Sequence, residues 1–245
     1  MVAAMMSVFT PLLLALLPAA AAEPGLCQIV RQKAITDVAP PAVIVLGERR
    51  GTQPDLARAT RAVRGLVRQG DVTLAMQAVG KAHQPVLDRW TDEEISLTDL
   101  PGLVRLEAEW GFAFAPYRNL FLTARAGVKL VAIGQVPELR PPGQTVPMPP
   151  SYMHVLSEAT DDHPLPVESE PDFVQTVTWM DHRLAAAAVA SWDRQGYLVI
   201  LADRFHVEGG KGISWQAQRL TPEPVHAFLL ADGDASCYAA DRVWR

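Results

Sequence analysis

Three short stretches hold residue types that can do chemistry together. Gly47-Glu48-Arg49-Arg50 offers a carboxylate beside two guanidinium groups, and Met76-Gln77-Ala78 offers an amide. Asp203-Arg204-Phe205-His206-Val207 adds a second carboxylate and an imidazole. Arginine is the side chain best shaped to hold a carboxylate in a fork. Histidine is the usual proton carrier and a common metal ligand. Each stretch also has a bland reading: Glu48 can pair with Arg49 or Arg50, and a histidine after a strand is ordinarily structural. The segments that precede the three stretches bring them together.

Ala42 to Leu46 (AVIVL) is a continuous aliphatic run, as expected of a strand buried on both faces. Val72 to Met76, Val128 to Ile133, Tyr197 to Ala202 and Val225 to Leu230 read the same way. Pro54 to Gln69 predicts a helix: Leu56, Ala59, Val63, Leu66 and Val67 share one face, with Arg58, Arg61, Arg64 and Arg68 on the other. That basic stripe reads as a solvated helix face. Helical character continues from Val86 to Ile95 and Leu103 to Trp110, in a short helix over Asn119 to Ala126, and in a long one over Asp172 to Asp193. Strands alternating with helices predict an α/β fold, a mainly parallel central sheet flanked by helices in a single domain. Six of the fourteen residues from Pro137 to Pro150 are proline, so 137–171 is expected to be a loop or flap. Ligands of such sheets gather at the carboxyl ends of strands, which is where Glu48, Arg49, Arg50, Gln77 and His206 fall.

The 245 residues are 20% charged and carry a formal charge of −5. That is globular composition, and an acidic balance without a lysine-rich tract argues against a nucleic-acid partner. Residues 1–22 contain no charged side chain and close on Ala19 to Ala22, which predicts a cleaved export signal and a periplasmic protein. Residues 23–41 then form an N-terminal segment before the α/β domain of 42–245. Leu26, before Cys27, is larger than lipid attachment requires, so no lipid anchor is expected. Cys27 and Cys237 are the two cysteines, and in an exported chain they predict one disulfide tying the ends together.

Three further pieces carry a resemblance. Leu46-Gly47-Glu48, the stretch His83-Gln84-Pro85-Val86-Leu87-Asp88-Arg89-Trp90, and Trp110 followed by Tyr117 and Ala124-Arg125 together resemble the ChaN-like haem-binding uptake family. That family is more distantly related to the Tiki and erythromycin-esterase-like proteins. The Asp181 to Ala190 segment and the stretch from Tyr197 to Val207 resemble its later motifs. The resemblance implies haem as ligand, a role in iron uptake, and outer-membrane uptake machinery as a partner.

The departures bear on function. Where the family has His three residues after the glycine ending the first strand, this chain has Arg50; where it has Glu in the second strand, this chain has Gln77. Its late Gly-x-Gly-His is here Asp203-Arg204-Phe205-His206. In the hydrolytic relatives the His and Glu at these places hold a divalent metal. A fixed positive charge and a lost carboxylate disfavour a cation. The same changes favour an anionic planar ligand such as haem, its propionates on arginine and its iron on an axial donor, for which Tyr117, Tyr152, His154 and His206 are candidates. Two alternatives stay open: a metal-dependent hydrolase with an altered site, and an interaction module without a small ligand.

Overall fold

In a computed structural model, the chain is described over residues 27–134, 140–159, 170–231 and 241–244. The elements are β1 (Gln28–Val30), α1 (Lys33–Thr36), β2 (Ala42–Glu48), α2 (Gln53–Val67), β3 (Val72–Gly80), α3 (Gln84–Thr91), α4 (Leu100–Val104), α5 (Leu106–Trp110), α6 (Arg118–Ala124) and β4 (Val128–Gly134). They continue with α7 (Tyr152–Ala159), α8 (Glu170–Ala190), β5 (Tyr197–Asp203), α9 (Gly212–Leu220), β6 (Val225–Leu230) and β7 (Arg242–Trp244). The strands form one sheet in the order β1-β7-β6-β2-β5-β3-β4, every pair parallel. The expected α/β architecture is what the chain adopts.

The pleat divides the core. Ile44, Leu46, Leu74, Met76, Val199 and Leu201 face α2 and the helices α3 to α6. Val43, Val45, Leu198 and Ile200 face α8 and α9, where Ala185 and Ala188 keep α8 close to the sheet. Alternate residues of one strand therefore serve different helical layers. After β2 the chain goes to β3 and β4 on one side, and after β5 it goes to β6 and β7 on the other. The switch in direction falls at the ends of β2 and β5, where this architecture opens a crevice.

Gln84, in the stretch most specific to the resemblance, guards the edge of the sheet. Its amide donates to the Leu130 carbonyl at 3.0 Å and accepts from the Ala132 N–H at 2.7 Å, so it pairs the outer rim of β4 as a strand would. Trp90, six residues on, is fully buried, donates to the Phe121 carbonyl at 3.3 Å, and carries Arg125 on its ring face.

Three expectations change. The proline-rich stretch is not loop throughout, because Tyr152–Ala159 forms α7, starting beyond the last proline of the cluster. Arg58 leaves the solvated stripe: it is buried, 3.6 Å from Asp55. The three-residue strands β1 and β7, and helix α9, are additions that the sequence pattern does not predict. The export signal and Cys237 lie outside the described residues, as do 135–139 and 160–169 of the expected flap.

Candidate ligand site at the ends of β2, β3 and β5

Glu48 and Asp203 are the last residues of β2 and β5 and stand opposite each other in the parallel register. Gly47 lets the turn after β5 come this close: a Cβ there would sit 3.1 Å from Val207 Cβ and 3.3 Å from Arg204 Cα. β3 stops pairing with β5 at Met76, and its register against β4 shifts between Met76 and Gly80. Gln77 Oε1 then accepts the Asp203 N–H at 2.8 Å, taking over where the ladder ends. A neutral amide at this strand end thus fixes Asp203.

The two arginines separate. Arg49 forks onto Asp55, in the first turn of α2, through Nε at 3.0 Å and a terminal nitrogen at 2.9 Å, and its backbone N–H reaches the same carboxylate at 2.9 Å. Asp55 is fully buried, so Arg49 braces the loop between β2 and α2. Arg50 points to the crevice and pairs through Nε with Asp203, while its side chain stays 56% exposed.

Glu48 is buried, and Tyr117 donates to its Oε1 at 2.6 Å. Among the described residues, Oε2 has no hydrogen-bond partner. Burial pushes the Glu48 carboxyl up to about 7, with Asp203 and Asp55 adding to the rise, while the bonds from Tyr117 and the Gly51 N–H oppose it. Burial also raises the Tyr117 hydroxyl, so it stays a donor. Phe112 stacks on Tyr117, ring centroids 5.7 Å apart. Gly51, at φ +64°, passes close beneath it: a Cβ there would be 3.2 Å from Phe112 Cβ.

These residues line a recess of about 250 Å³, counting its mouth: Glu48, Arg50, Gln77, Ala78, Asp203, and the rings of Trp110 and Phe112. Trp110 Nε1 is buried and, among the described residues, unpartnered. Two lining residues therefore each carry an unanswered polar atom, a pattern that asks for a ligand or water.

His206 goes elsewhere. Its Nδ1 meets Asp181 of α8 at 2.7 Å, and the other Asp181 oxygen accepts from the Tyr152 hydroxyl of α7. All three are buried, in a polar cluster on the α7–α8 side. Burial raises both the Asp181 carboxyl and the Tyr152 hydroxyl, with His206 holding Asp181 back. Of the residues singled out from the sequence, Glu48, Arg50 and Gln77 share the recess, Tyr117 stands behind Glu48, Arg49 turns to Asp55, and His206 joins the second cluster. The His154 side chain lies outside the described residues. Asp203 enters the recess as the second carboxylate of the late stretch, whereas Trp110 was picked out only within the resemblance and Phe112 not at all. The end position of Asp203 after an apolar run, and the aromatic run from Trp110 to Phe114, were the available signals.

Residues 34–140 match the model of the family described as haem-binding uptake, Tiki superfamily, ChaN. Over these residues the chain resembles the ChaN family. The matched span includes Glu48, Arg50, Gln77, Trp110, Phe112 and Tyr117, and excludes Asp203 and the His206 cluster. A solved structure of ChaN of Campylobacter jejuni, with cofacially bound haem, is similar at 16% identity and a TM-score of 0.60, over 80% of this chain and 87% of that one. The type III effector HopBA1 is similar at 13% identity and a TM-score of 0.55, over 93% and 98%. The C-terminal region of Pasteurella multocida toxin, with a thiol-protease-like catalytic triad, gives 13% identity and a TM-score of 0.52, over 87% of this chain and 27% of that one. At these identities the likeness is one of fold. No curated protein sequence matches.

Haem would need an axial donor, ordinarily His, Tyr, Met or Cys. None lines this recess among the described residues, and Tyr117, Tyr152 and His206 are buried and committed to carboxylates. The recess suits a carboxylate-bearing planar edge and does not suit axial ligation of iron. Nor does any group of three His, Cys, Asp or Glu converge as a metal site among the described residues.

Proposed function

We propose that this ChaN-like protein acts in the periplasm as a binding protein for an anionic planar ligand of the haem class, handled in iron acquisition. The observation that supports it best is the recess itself, where the exposed Arg50 guanidinium and the unpartnered Trp110 N–H stand at an aromatic wall. A guanidinium and an indole N–H are donors, and donors suit a carboxylate. The closed part of the recess has room for about one water, far below the 300–1,000 Å³ of most small-molecule pockets, so only a carboxylate edge enters while the rest of the ligand lies over the rim.

The hydrolase alternative would need Glu48 and Asp203 to hold a cation, with Arg50 displaced from Asp203. Equilibrium titration separates the readings. Hemin and iron-free protoporphyrin IX should bind one equivalent each, with dissociation constants within a few-fold of one another, and should quench tryptophan fluorescence less in Trp110→Phe. Arg50→Ala should weaken both at least tenfold. Binding of hemin alone would make the iron the recognised group and overturn the proposed mode. A melting shift with Zn²⁺ and none with either porphyrin would favour the hydrolase.

A further inference from the structure

Resting on that reading, we infer that Glu48 meets the ligand's carboxylate as a neutral acid, donating its proton from Oε2, so that each ligand bound brings one proton into the recess.

The geometry leaves Glu48 one free function. Oε1 accepts the Tyr117 hydroxyl at 2.6 Å, and Oε2 is buried, unpartnered among the described residues, in a side chain that lines the recess. Every charged neighbour has a prior engagement. Arg49 lies on Asp55, at the start of α2, and Arg50 on Asp203, at the end of β5. Asp203 and Asp55 both oppose ionisation of Glu48, while Tyr117 and the Gly51 N–H favour it. An ionised Glu48 would repel an incoming carboxylate, whereas a protonated one supplies the donor that a carboxylate lacks. Arg50 can then turn from Asp203 to the second ligand oxygen without leaving two facing carboxylates unshielded. The rise of the Glu48 carboxyl to about 7 keeps the neutral form accessible at physiological pH. The proton comes from solvent: anionic ligand, ionised Glu48 and one H⁺ give one complex, with no bond broken beyond that exchange.

The test is the dissociation constant of iron-free protoporphyrin IX between pH 6 and pH 9, by fluorescence. This probe lacks the water ionisation of hemin iron, and its propionates stay ionised throughout. For the wild type, the constant should be flat below about pH 7 and rise tenfold per pH unit above it. Glu48→Gln keeps an oxygen for Tyr117 and a permanent donor for the ligand, so it should bind within a few-fold of the wild type at pH 6 and stay flat to pH 9. Tyr117→Phe removes a bond that favours ionisation, so its break should move to higher pH. A flat wild-type profile, a Glu48→Gln profile that keeps the slope, or a folded Glu48→Gln that fails to bind at pH 6 would each overturn the inference while leaving porphyrin binding in place. Absence of binding by the wild type at every pH would overturn the functional reading, and this inference with it.

Discussion

At the scale of single residues, Arg49 and Arg50 are neighbours with opposite duties, and the difference is one of environment. Arg49 answers a fully buried carboxylate, so Arg49→Ala should cost about 2 kcal/mol of stability by leaving Asp55 underpaired, with porphyrin affinity changed only slightly. Arg50→Ala breaks an exposed pair and should alter stability by less than about 1 kcal/mol, while weakening the ligand. Urea denaturation of the two variants, beside their titrations, checks both halves. Glu48 supplies a pH signature of its own. Its carboxyl is higher in the fold than in the unfolded chain, so its contribution is fully present below about pH 4.5 and is lost as pH rises through about 7. Glu48→Gln escapes that loss and should gain on the wild type by up to roughly 3 kcal/mol between pH 4.5 and pH 8, measured as the pH dependence of unfolding free energy. A constant difference across that range would show that Glu48 does not titrate there.

At the scale of elements, the sheet determines which strand-end residues meet. Successive residues face opposite layers, so Glu48 and Asp203 emerge toward the α2 side, and the short turn Arg204–His206 carries His206 over to α8. The apolar runs marked all three strand ends, but a run buried on both faces hides which side its last residue will take. Pairing the glutamate with the histidine was therefore legible as proximity along the sheet and not as a shared site. Helix α7 was hidden by the prolines before it, and α9 by its glycine-rich start, Gly209-Gly210-Lys211-Gly212. The Tyr152–Asp181–His206 cluster ties α7, α8 and the turn after β5 together. His206→Ala should consequently lower the melting temperature, by removing the partner of a buried carboxylate, and leave the absorption spectrum of bound porphyrin unchanged. A spectral change without a loss of stability would place His206 at the ligand.

At the scale of the whole molecule, the five long strands and their mainly parallel sheet were readable, though not the strand order, because each strand is a complete aliphatic run between turn residues. The edge additions β1 and β7 were not, since three residues carry no period. The departures at Arg50 and Gln77 were visible in the sequence, but not that Arg50 would pair with Asp203 or that Gln77 would complete the end of a ladder. β1 pairs with β7, which places Cys27 beside the strand that follows the second cysteine. We propose the Cys27–Cys237 disulfide in the exported protein, and non-reducing peptide mapping of periplasmic material should find that pair linked and the chain starting near Glu23. Two alkylated thiols, or a retained Met1, would remove the corresponding claim. The central claim is about place: an anionic planar ligand enters where β2, β3 and β5 end. The most direct measurement is a crystal structure grown with iron-free protoporphyrin IX. It should show one propionate within hydrogen-bond distance of Arg50 and Glu48 Oε2, with the ring edge against Trp110 and Phe112. A porphyrin seated elsewhere, with this recess holding only water, would contradict the account.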